Sequence, residues 1–275
     1  MLKPVWRRLL KMTTYGMVHA DGVADEILRP TFSNVVVAIA YDVSRSIYEF
    51  TRNIFLKRAV LFDTQVDPQQ AVVLKRLIDQ AQRKNMQVLE IGSWMGFSTK
   101  VLGQVVKENN GDLYCVDLWG DHLDLEQAET LSQGRLERRA RMFDIFRLFD
   151  KNVKNAGLKN TVHPLIMSSH QALGLIADNS MDFIFIDADH RYSPVKKDVE
   201  MAYPKLKVGG ILCGHDCECR IQDIDKDFLE KHCEQDYVHG NIYQGRGVHC
   251  GVIKAVGEIF PKATIDKAIW YIEKK

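Results

Sequence analysis

Short apolar runs alternate with helical stretches through most of this chain, from residue 67 onward. The runs with the character of strands are residues 87–91, 113–116, 162–167, 183–186, 211–213 and 268–272. Strands that alternate with helices form crossover units, which build a mostly parallel sheet covered by helices on both faces. The pattern therefore predicts an α/β fold, in which we expect the last strand to run antiparallel.

The first 66 residues lack that alternation and predict a helical extension, ahead of a main domain over residues 67–275. Apolar residues recur at helical spacing between Val36 and Ile54, so a long helix is expected there, on the core or in a homodimer contact. Residues 1–12 predict a shorter amphipathic helix with a basic face. That helix could lie on an anionic membrane surface, but packing on the protein or on a second subunit is the favoured interpretation.

Composition narrows the class of protein. The chain has 275 residues, 46% of them hydrophobic, which suffices for one large core and a small appendage. Lys and Arg number 37 against 36 for Asp and Glu, so no net charge favours binding to nucleic acid. Six cysteines are too few for a disulfide scaffold, and no apolar run has the length of a signal peptide or a membrane span. We expect a cytoplasmic protein with mostly reduced cysteines.

Two polar stretches interrupt the alternation. Residues 120–142 place no strand between the second and third apolar runs, and they predict a helical insertion able to cover a site. Residues 218–246 are again polar. Because ligands of parallel sheets bind beyond the carboxyl ends of the strands, the functional motifs should follow the apolar runs.

The turn after the first apolar run has the composition of a cofactor site. The sequence LEIGSWMGFST, residues 89–99, ends a strand, makes a turn with two glycines and leads into a helix. Glycine lets the backbone approach a ligand, and the start of a helix presents N–H groups to an anionic one. The turn lacks the middle glycine of a dinucleotide fingerprint and has an acidic residue two positions before its first glycine, which favours S-adenosylmethionine. The predicted contacts are Glu90, Gly92, Ser93, Gly96, Ser98 and Thr99.

Two further strand ends are expected to complete that cofactor site. Asp117 ends the second apolar run and is placed to accept hydrogen bonds from both hydroxyls of a ribose. Leu118 or Trp119 can pack against an adenine ring. Ser168 and Ser169 follow the third run and are expected under the adenine edge, although Ser169 could instead cap the next helix.

Acidic residues and histidines follow the fourth and fifth apolar runs. The fourth run belongs to FIFIDADHRYSP, and the fifth is followed by Gly214, His215 and Asp216. If the two strands are neighbours, Asp187 or Asp189 lies close to the histidine and the aspartate that follow the fifth run. Oxygen ligands suit Mg²⁺, whereas a histidine shifts the preference toward Mn²⁺, Fe²⁺ or Zn²⁺.

Four motifs together resemble a known family. They are LEIGSWMGFST, the strand end at Asp117, FIFIDADHRYSP and VGGILCGHD. In this order and spacing the chain resembles the class I S-adenosylmethionine-dependent methyltransferases. Within that class it is similar to the metal-dependent branch that contains the catechol, caffeoyl-coenzyme A, macrolide and aminocoumarin sugar O-methyltransferases. The resemblance implies a Rossmann-like sheet and methylation of an oxygen on a small molecule.

The resemblance also implies roles for individual residues. Relatives hold a divalent cation with the first carboxylate of the DAD segment and two adjacent residues after the next strand, here Asp187, His215 and Asp216. His215 stands where a carboxylate is usual, so the metal, Mg²⁺ or Mn²⁺, and the need for one stay open. His190 occupies the position of a lysine that serves as base in the plant enzymes, and an imidazole pKa of ~6.5 suits proton transfer at neutral pH. The expected catalytic residues are His190 and Asp187.

Three functions are compatible with these residues. The first is metal-assisted O-methylation of a diol, a sugar or a catechol-like molecule. The second is a metal-independent methyltransferase with His190 or His215 as its base. The third is a non-catalytic module that binds a cofactor or, through the cysteines and histidines of residues 213–250, zinc, although no CxxC pair occurs there.

Overall fold

The computed structural model describes residues 66–119 and 145–275. The helices in these ranges are α1 Pro68–Ala81, α2 Phe97–Glu108, α3 Ile145–Asn155, α4 Ser169–Leu175, α5 Tyr192–Lys205, α6 Lys226–His232 and α7 Cys250–Ile259. The strands are β1 Gln87–Ile91, β2 Asp112–Asp117, β3 Val162–Ile166, β4 Met181–Ile186, β5 Leu206–Gly214, β6 Val238–Tyr243, β7 Arg246–Val248, β8 Thr264–Asp266 and β9 Ile269–Glu273.

A seven-stranded sheet forms the centre of the described part, with the strand order β3-β2-β1-β4-β5-β9-β8. β1 pairs in parallel with β2 and β4, β2 with β3, and β4 with β5. β9 runs antiparallel to β5. Every residue of β4 is buried, as expected for a strand covered on both faces. The predicted α/β fold with an antiparallel last strand is confirmed.

Helices cover both faces of this sheet. Helix α1 begins where the sequence predicts, since the side chain of Asp67 accepts the N–H groups of Gln69 and Gln70 and Pro68 follows as the first helical residue. Side chains of α1, α2 and α3 share one apolar cluster with alternate residues of the strands. Side chains of α4, α5, α6 and α7 share a second cluster with the intervening residues, so the sheet lies between two cores.

The apolar pattern does not predict β8 or the hairpin of β6 and β7. Half of the β6 residues are exposed and none is fully buried, so this strand has no apolar run to mark it. The hairpin forms a separate two-stranded sheet in the stretch that the sequence shows only as polar. Strands that face water on most sides leave little trace in a hydrophobic pattern.

The extension predicted over residues 1–66 lies outside the described residues apart from Val66, and the insertion over residues 120–142 lies wholly outside them. The division into an extension and a main domain, the homodimer contact and the membrane contact of residues 1–12 all stay predictions. Among the helices that are described, none combines the length and the apolar character needed to cross a membrane.

Candidate active site

The carboxyl ends of β4 and β5 bring three predicted ligands together. Ile186, the last residue of β4, pairs with Gly214, the last residue of β5, so Asp187 and His215 leave the sheet side by side. The N–H of His215 donates to the carbonyl of Ile186 at 3.1 Å and ties the two strand ends to each other. Asp216 follows with a φ of 60°, a left-handed conformation that turns the chain sharply away from the sheet.

The side chains of Asp187, His215 and Asp216 form a compact donor set. Nδ1 of His215 lies 3.0 Å from Oδ2 of Asp216 and 3.5 Å from Oδ1 of Asp187. One ligand atom from each of the three residues lies within 4.8 Å of the other two. Both ring nitrogens of His215 are buried without a hydrogen-bond partner, an arrangement that is costly unless another group binds them. The donor set therefore fits a divalent cation.

Asp189, the alternative carboxylate of the DAD segment, does not join this set. Its two oxygens bind the guanidinium of Arg191, with Oδ2 at 2.6 Å from Nη2 and Oδ1 at 3.1 Å from Nε. Oδ1 also accepts the N–H of Arg191. The sequence leaves open whether Asp187 or Asp189 joins the donor set. Among the described residues, it is Asp187 that does so.

His190 lies between two carboxylates. Its Nε2 is 3.0 Å from Oδ2 of Asp216, and its Nδ1 is 2.8 Å from Oδ1 of Asp236. Burial alone would lower the pKa of His190, but Asp216 and then Asp236 raise it well above its ordinary value. The raised pKa of this imidazole differs from the unperturbed value that the sequence suggests.

His249 also belongs to this cluster, although the sequence analysis does not single it out. Its Nδ1 lies 3.6 Å from Oδ1 of Asp216 and 2.6 Å from Oε1 of Glu218, and its ring centroid is 4.7 Å from that of His190. His249 precedes α7, so its approach depends on how that helix packs and not on a strand end. Only its membership of the histidine-rich segment 213–250 marked it in the sequence.

The charges of this cluster depend on one another. Burial would raise the pKa of Asp216, but His215, His249 and His190 hold it well below its ordinary value. Burial would lower the pKa of His215, but Asp216 and Asp187 raise it well above its ordinary value. The protein therefore favours an ionised carboxylate surrounded by positive charge, which protons or a metal ion can supply.

The predicted cofactor turn lies directly against this cluster. The N–H of Asp187 donates to the carbonyl of Ile91 at 2.8 Å. Gly92 has a φ of 87°, and a Cβ atom built on it would lie only 1.9 Å from the carbonyl oxygen of Asp187. Gly92 thus permits backbone contact between the cofactor turn and the first carboxylate of the cluster. Gly96, with a φ of 86°, ends the same turn immediately before α2.

Glu90 is fully buried beneath that turn. Oε2 of Glu90 accepts hydrogen bonds from Ser93 at 2.7 Å, from Thr99 and from the thiol of Cys115 at 3.3 Å. Its Oε1 is buried without a partner. Burial raises the pKa of Glu90, and hydrogen bonds from hydroxyls, Ser98 among them, oppose the rise. Glu90 therefore has one oxygen committed to the turn and one that is free to bind a polar group.

Asp117 lies at the end of β2, where its side chain fixes two tryptophans. Oδ2 accepts the N–H of Trp94 and Oδ1 the N–H of Trp119, both at 2.8 Å. The indole of Trp119 is buried against Phe149, with ring centroids 4.7 Å apart. Leu118 is 44% exposed. Of the two residues expected to pack against adenine, Leu118 is therefore the accessible one.

Ser168 and Ser169 follow β3 at the same edge of the sheet. The side chain of Ser168 accepts the N–H of Gln171 at 3.3 Å and caps α4. The hydroxyl of Ser169, the first residue of α4, hydrogen-bonds to Asp198. The capping role that the sequence allows for Ser169 is taken by Ser168.

The six cysteines are all buried and free of disulfides. Burial raises the pKa of Cys219 to about 12 and that of Cys250 to about 11, so both thiols are protonated at neutral pH. In the described ranges, the candidate metal-binding groups contain histidines and aspartates and no cysteine. The geometry thus offers no support for a thiolate zinc site in residues 213–250.

Comparison with known proteins finds similarity in the part of the chain that forms this site. Residues 89–217, which hold the cofactor turn and the predicted metal ligands, match the family model described as a methyltransferase domain. No curated protein sequence matches the chain. Among solved structures, a putative O-methyltransferase from Klebsiella pneumoniae is 16% identical with a TM-score of 0.52, and covers 85% of this chain and 90% of its own.

Two further solved structures have the same fold. The O-methyltransferase NovP is 15% identical with a TM-score of 0.54, over 79% of this chain and 84% of its own. Cofactor-bound Rv0187 from MTB is 15% identical with a TM-score of 0.50, over 89% and 96%. Such identities establish the fold alone, whereas the family model matches the sequence of residues 89–217 to a methyltransferase domain. The protein is therefore an enzyme, and the non-catalytic module is disfavoured.

Proposed function

We propose that the protein transfers the methyl group of S-adenosylmethionine to a hydroxyl oxygen of a small molecule, with the assistance of a divalent cation. The observation that carries this proposal is the convergence of Asp187, His215 and Asp216 within 4.8 Å, in backbone contact with the cofactor turn. The names of two similar structures, both O-methyltransferases, support oxygen as the acceptor atom.

The cofactor would lie along the carboxyl ends of β1, β2 and β3. A carboxylate has about four lone-pair positions, so Asp117 can bind ribose hydroxyls while it keeps its two backbone N–H bonds. Leu118 offers exposed apolar surface to an adenine ring. The free oxygen of Glu90 can accept a hydrogen bond from a polar cofactor group. The remaining predicted contacts are Gly92, Ser93, Gly96, Ser98, Thr99, Trp119, Ser168 and Ser169.

Methyl transfer is an in-line displacement in which the acceptor oxygen forms a bond to the methyl carbon as its bond to the sulfonium sulfur breaks. The protein must align the two reactants and exclude water. A divalent cation, Mg²⁺ or Mn²⁺, held by Asp187, His215 and Asp216 would acidify the hydroxyl and orient two neighbouring oxygens of a diol, a sugar or a catechol. The contact between Gly92 and Asp187 supports this arrangement, because it would keep cofactor and acceptor adjacent.

The acceptor proton has two candidate destinations in the chain. His190 is the base that the sequence predicts, and its raised pKa means that its neutral form appears only above the ordinary imidazole range. Asp187 is the second candidate, because its side chain is 20% exposed and only its Oδ1 lies against His215. The contacts of His190 with Asp216 and Asp236 also support the alternative of a metal-independent enzyme, in which His190 is the only base.

The proposal includes a small-molecule acceptor and no nucleic acid, because the charges of the chain balance almost exactly in number. A cytoplasmic location is part of the same proposal, and six free thiols favour it. A homodimer is proposed through the helix predicted between Val36 and Ile54, which lies outside the described residues.

The test is methyl transfer to catechol and to sugars with vicinal hydroxyls, measured as methylated product and S-adenosylhomocysteine by mass spectrometry. Protein stripped with EDTA should be inactive and should recover when Mn²⁺ or Mg²⁺ is returned. Full turnover in EDTA would overturn the role of the cation and favour the metal-independent enzyme. If His190 is the base, turnover in the same assay should rise only as pH passes above the ordinary imidazole range, and His190→Gln should lose that rise together with ~100- to 10,000-fold of turnover.

A further inference from the structure

We propose that the cluster binds a second divalent cation, held by His190, Asp216 and His249. This inference goes beyond the proposed function and rests on it in one respect, that Asp216 serves both cations. The second position combines Asp216 with the imidazoles of His190 and His249, whereas the first combines it with His215 and Asp187.

The three side chains have the spacing of a metal site. One ligand atom each from His190, Asp216 and His249 lies within 4.8 Å of the other two, the same criterion that the first donor set meets. Nε2 of His190 is 3.0 Å from Oδ2 of Asp216, and Nδ1 of His249 is 3.6 Å from Oδ1 of the same carboxylate. A cation between them needs only small side-chain movements to reach bonding distances of ~2.1 Å.

His190 has a carboxylate placed to orient it. Asp236 binds Nδ1 of His190 at 2.8 Å, which leaves Nε2 directed at Asp216. Histidines that bind metals in proteins usually have such a carboxylate behind them, because it fixes the ring and makes the ligand more basic. Glu218 binds the backbone N–H of His249 at 3.1 Å and its Nδ1, the nitrogen that faces Asp216, at 2.6 Å, so this carboxylate lies beside the proposed position.

The backbone also fixes the distance between the two histidines. A Cβ atom on Gly251, in the first turn of α7, would lie 2.3 Å from the carbonyl oxygen of His190 and 2.4 Å from the nitrogen of Tyr192. The start of α7 therefore rests on the segment that carries His190, and His249 comes immediately before that helix. The approach of the two rings follows from backbone packing and does not depend on flexible side chains alone.

Asp216 is suited to bridge the two positions. Its Oδ2 lies 3.0 Å from both His190 and His215, while its Oδ1 faces His249. Pairs of cations ~3.5 to 4 Å apart share a carboxylate in many enzymes. Four carboxylates surround the three imidazoles, namely Asp187, Asp216, Glu218 and Asp236. Their four negative charges equal the charge of two divalent cations when the imidazoles are neutral.

The ligands differ between the two positions and predict different metals. The first has two carboxylates and one imidazole, whereas the second has two imidazoles and one carboxylate. Imidazole-rich sites favour Zn²⁺, Fe²⁺, Co²⁺ or Mn²⁺ over Mg²⁺. His190 then acts as a ligand, and Asp187 remains as the acceptor of the substrate proton.

The test is the number of cations that the full chain binds. Protein freed of metal with EDTA is dialysed, loaded with Co²⁺ and gel-filtered, and its cobalt is measured by mass spectrometry beside its visible absorption spectrum. We expect about two equivalents in the wild type, about one in His249→Ala, about one in Asp187→Ala and close to none in Asp216→Ala. His163→Ala is the matched control, because His163 lies on β3 in an ion pair with Asp112 and outside both donor sets.

The outcomes separate this inference from the proposed function. One equivalent in the wild type that His249→Ala leaves unchanged would overturn the second cation while leaving the first intact. One equivalent that Asp187→Ala leaves unchanged and His249→Ala removes would support the position inferred here and remove the metal basis of the proposed reaction. If His249→Ala unfolds, as circular dichroism would reveal, wild-type protein loaded with Mn²⁺ decides: magnetic coupling between two Mn²⁺ ions is expected, and the spectrum of isolated Mn²⁺ would overturn the inference.

Discussion

The cofactor edge, residues 87–119, and the cluster around Asp216 meet at Gly92 but satisfy their charges in opposite ways. At the cofactor edge, hydroxyls and backbone N–H groups of the chain bind the carboxylates of Glu90 and Asp117. In the cluster, carboxylates and imidazoles face mainly one another, and both nitrogens of His215 lack a hydrogen-bond partner. Of the oxygens of these two carboxylates, Oε1 of Glu90 stays buried without a partner, whereas the cluster as a whole calls for added positive charge.

The largest expected effect is a separation of binding from chemistry between the two regions. Asp216→Ala removes the carboxylate shared by both donor sets, so turnover should fall ~1000-fold or more while affinity for S-adenosylhomocysteine stays within about twofold. Asp117→Ala should do the reverse and weaken that affinity ~10-fold or more, through lost hydrogen bonds to the ribose. Calorimetry gives the affinities, and product formation gives the turnover.

Asp178→Ala is the matched control for both changes, because Asp178 is a surface residue whose side chain is 62% exposed and pairs with Lys205. It should leave affinity and turnover unchanged. Equal losses of affinity in Asp216→Ala and Asp117→Ala would show that the two regions do not act separately and would contradict the comparison.

An intermediate effect is expected where the regions touch. Gly92→Ala places a Cβ atom 1.9 Å from the carbonyl oxygen of Asp187 and forces a φ of 87° on a residue that avoids it. The free energy of unfolding should fall by at least ~2 kcal/mol, from strain and overpacking together. Gly174→Ala is the control, since its Cβ would meet nothing within 4 Å and a helical alanine should be neutral or stabilising. Urea unfolding that shows equal stabilities for the two variants would refute close contact at Gly92.

The smallest effect concerns the pH dependence of stability at the cofactor edge. Burial raises the pKa of Glu90 in the folded protein, so folding favours the protonated form. That contribution is complete below the pKa of the unfolded chain, about 4.3, and is lost as pH rises through the raised folded value. Glu90→Gln keeps a neutral group at every pH and should remove this loss, worth ~1 kcal/mol for each unit of pKa rise. The free energy of unfolding is measured at pH 4 and pH 8 for the wild type and for Glu90→Gln. If the difference between the two pH values is the same in both proteins, Glu90 is not the group responsible.

The sequence predicted the sheet closely because buried parallel strands leave continuous apolar runs. β1 was predicted at its observed bounds, and the end of β4 was predicted at Ile186. Helix α5 begins at Tyr192, two residues before Pro194, and the proline fits there because the first turn of a helix already has the φ that proline imposes. The hairpin of β6 and β7 was missed, since half of the β6 residues are exposed and β7 has only three residues, so neither strand has an apolar run to mark it.

The site was predictable only where strand order determined it. Asp187, His215 and Asp216 follow neighbouring strands, so their approach could be read from the pattern of runs. His249 and Asp236 come from the region between β5 and α7, and no periodicity says that they meet His190. The pKa of His190 was also beyond a sequence argument, because it depends on the two carboxylates that the fold places on its ring.

The residues that pack against the base of the cluster lie near the carboxyl end of the sequence. Gly214 leaves room for the indole of Trp270 on β9, because a Cβ atom at Gly214 would lie 2.5 Å from the indole nitrogen. The N–H of Cys217 donates to the carbonyl of Ala268 at 3.0 Å. Ribosomes release a chain from its amino end, so the pairing of β1 with β2 becomes available well before β9 can dock. During synthesis, the nascent protein therefore has the segments of its cofactor edge before it has the complete scaffold of the cluster around Asp216.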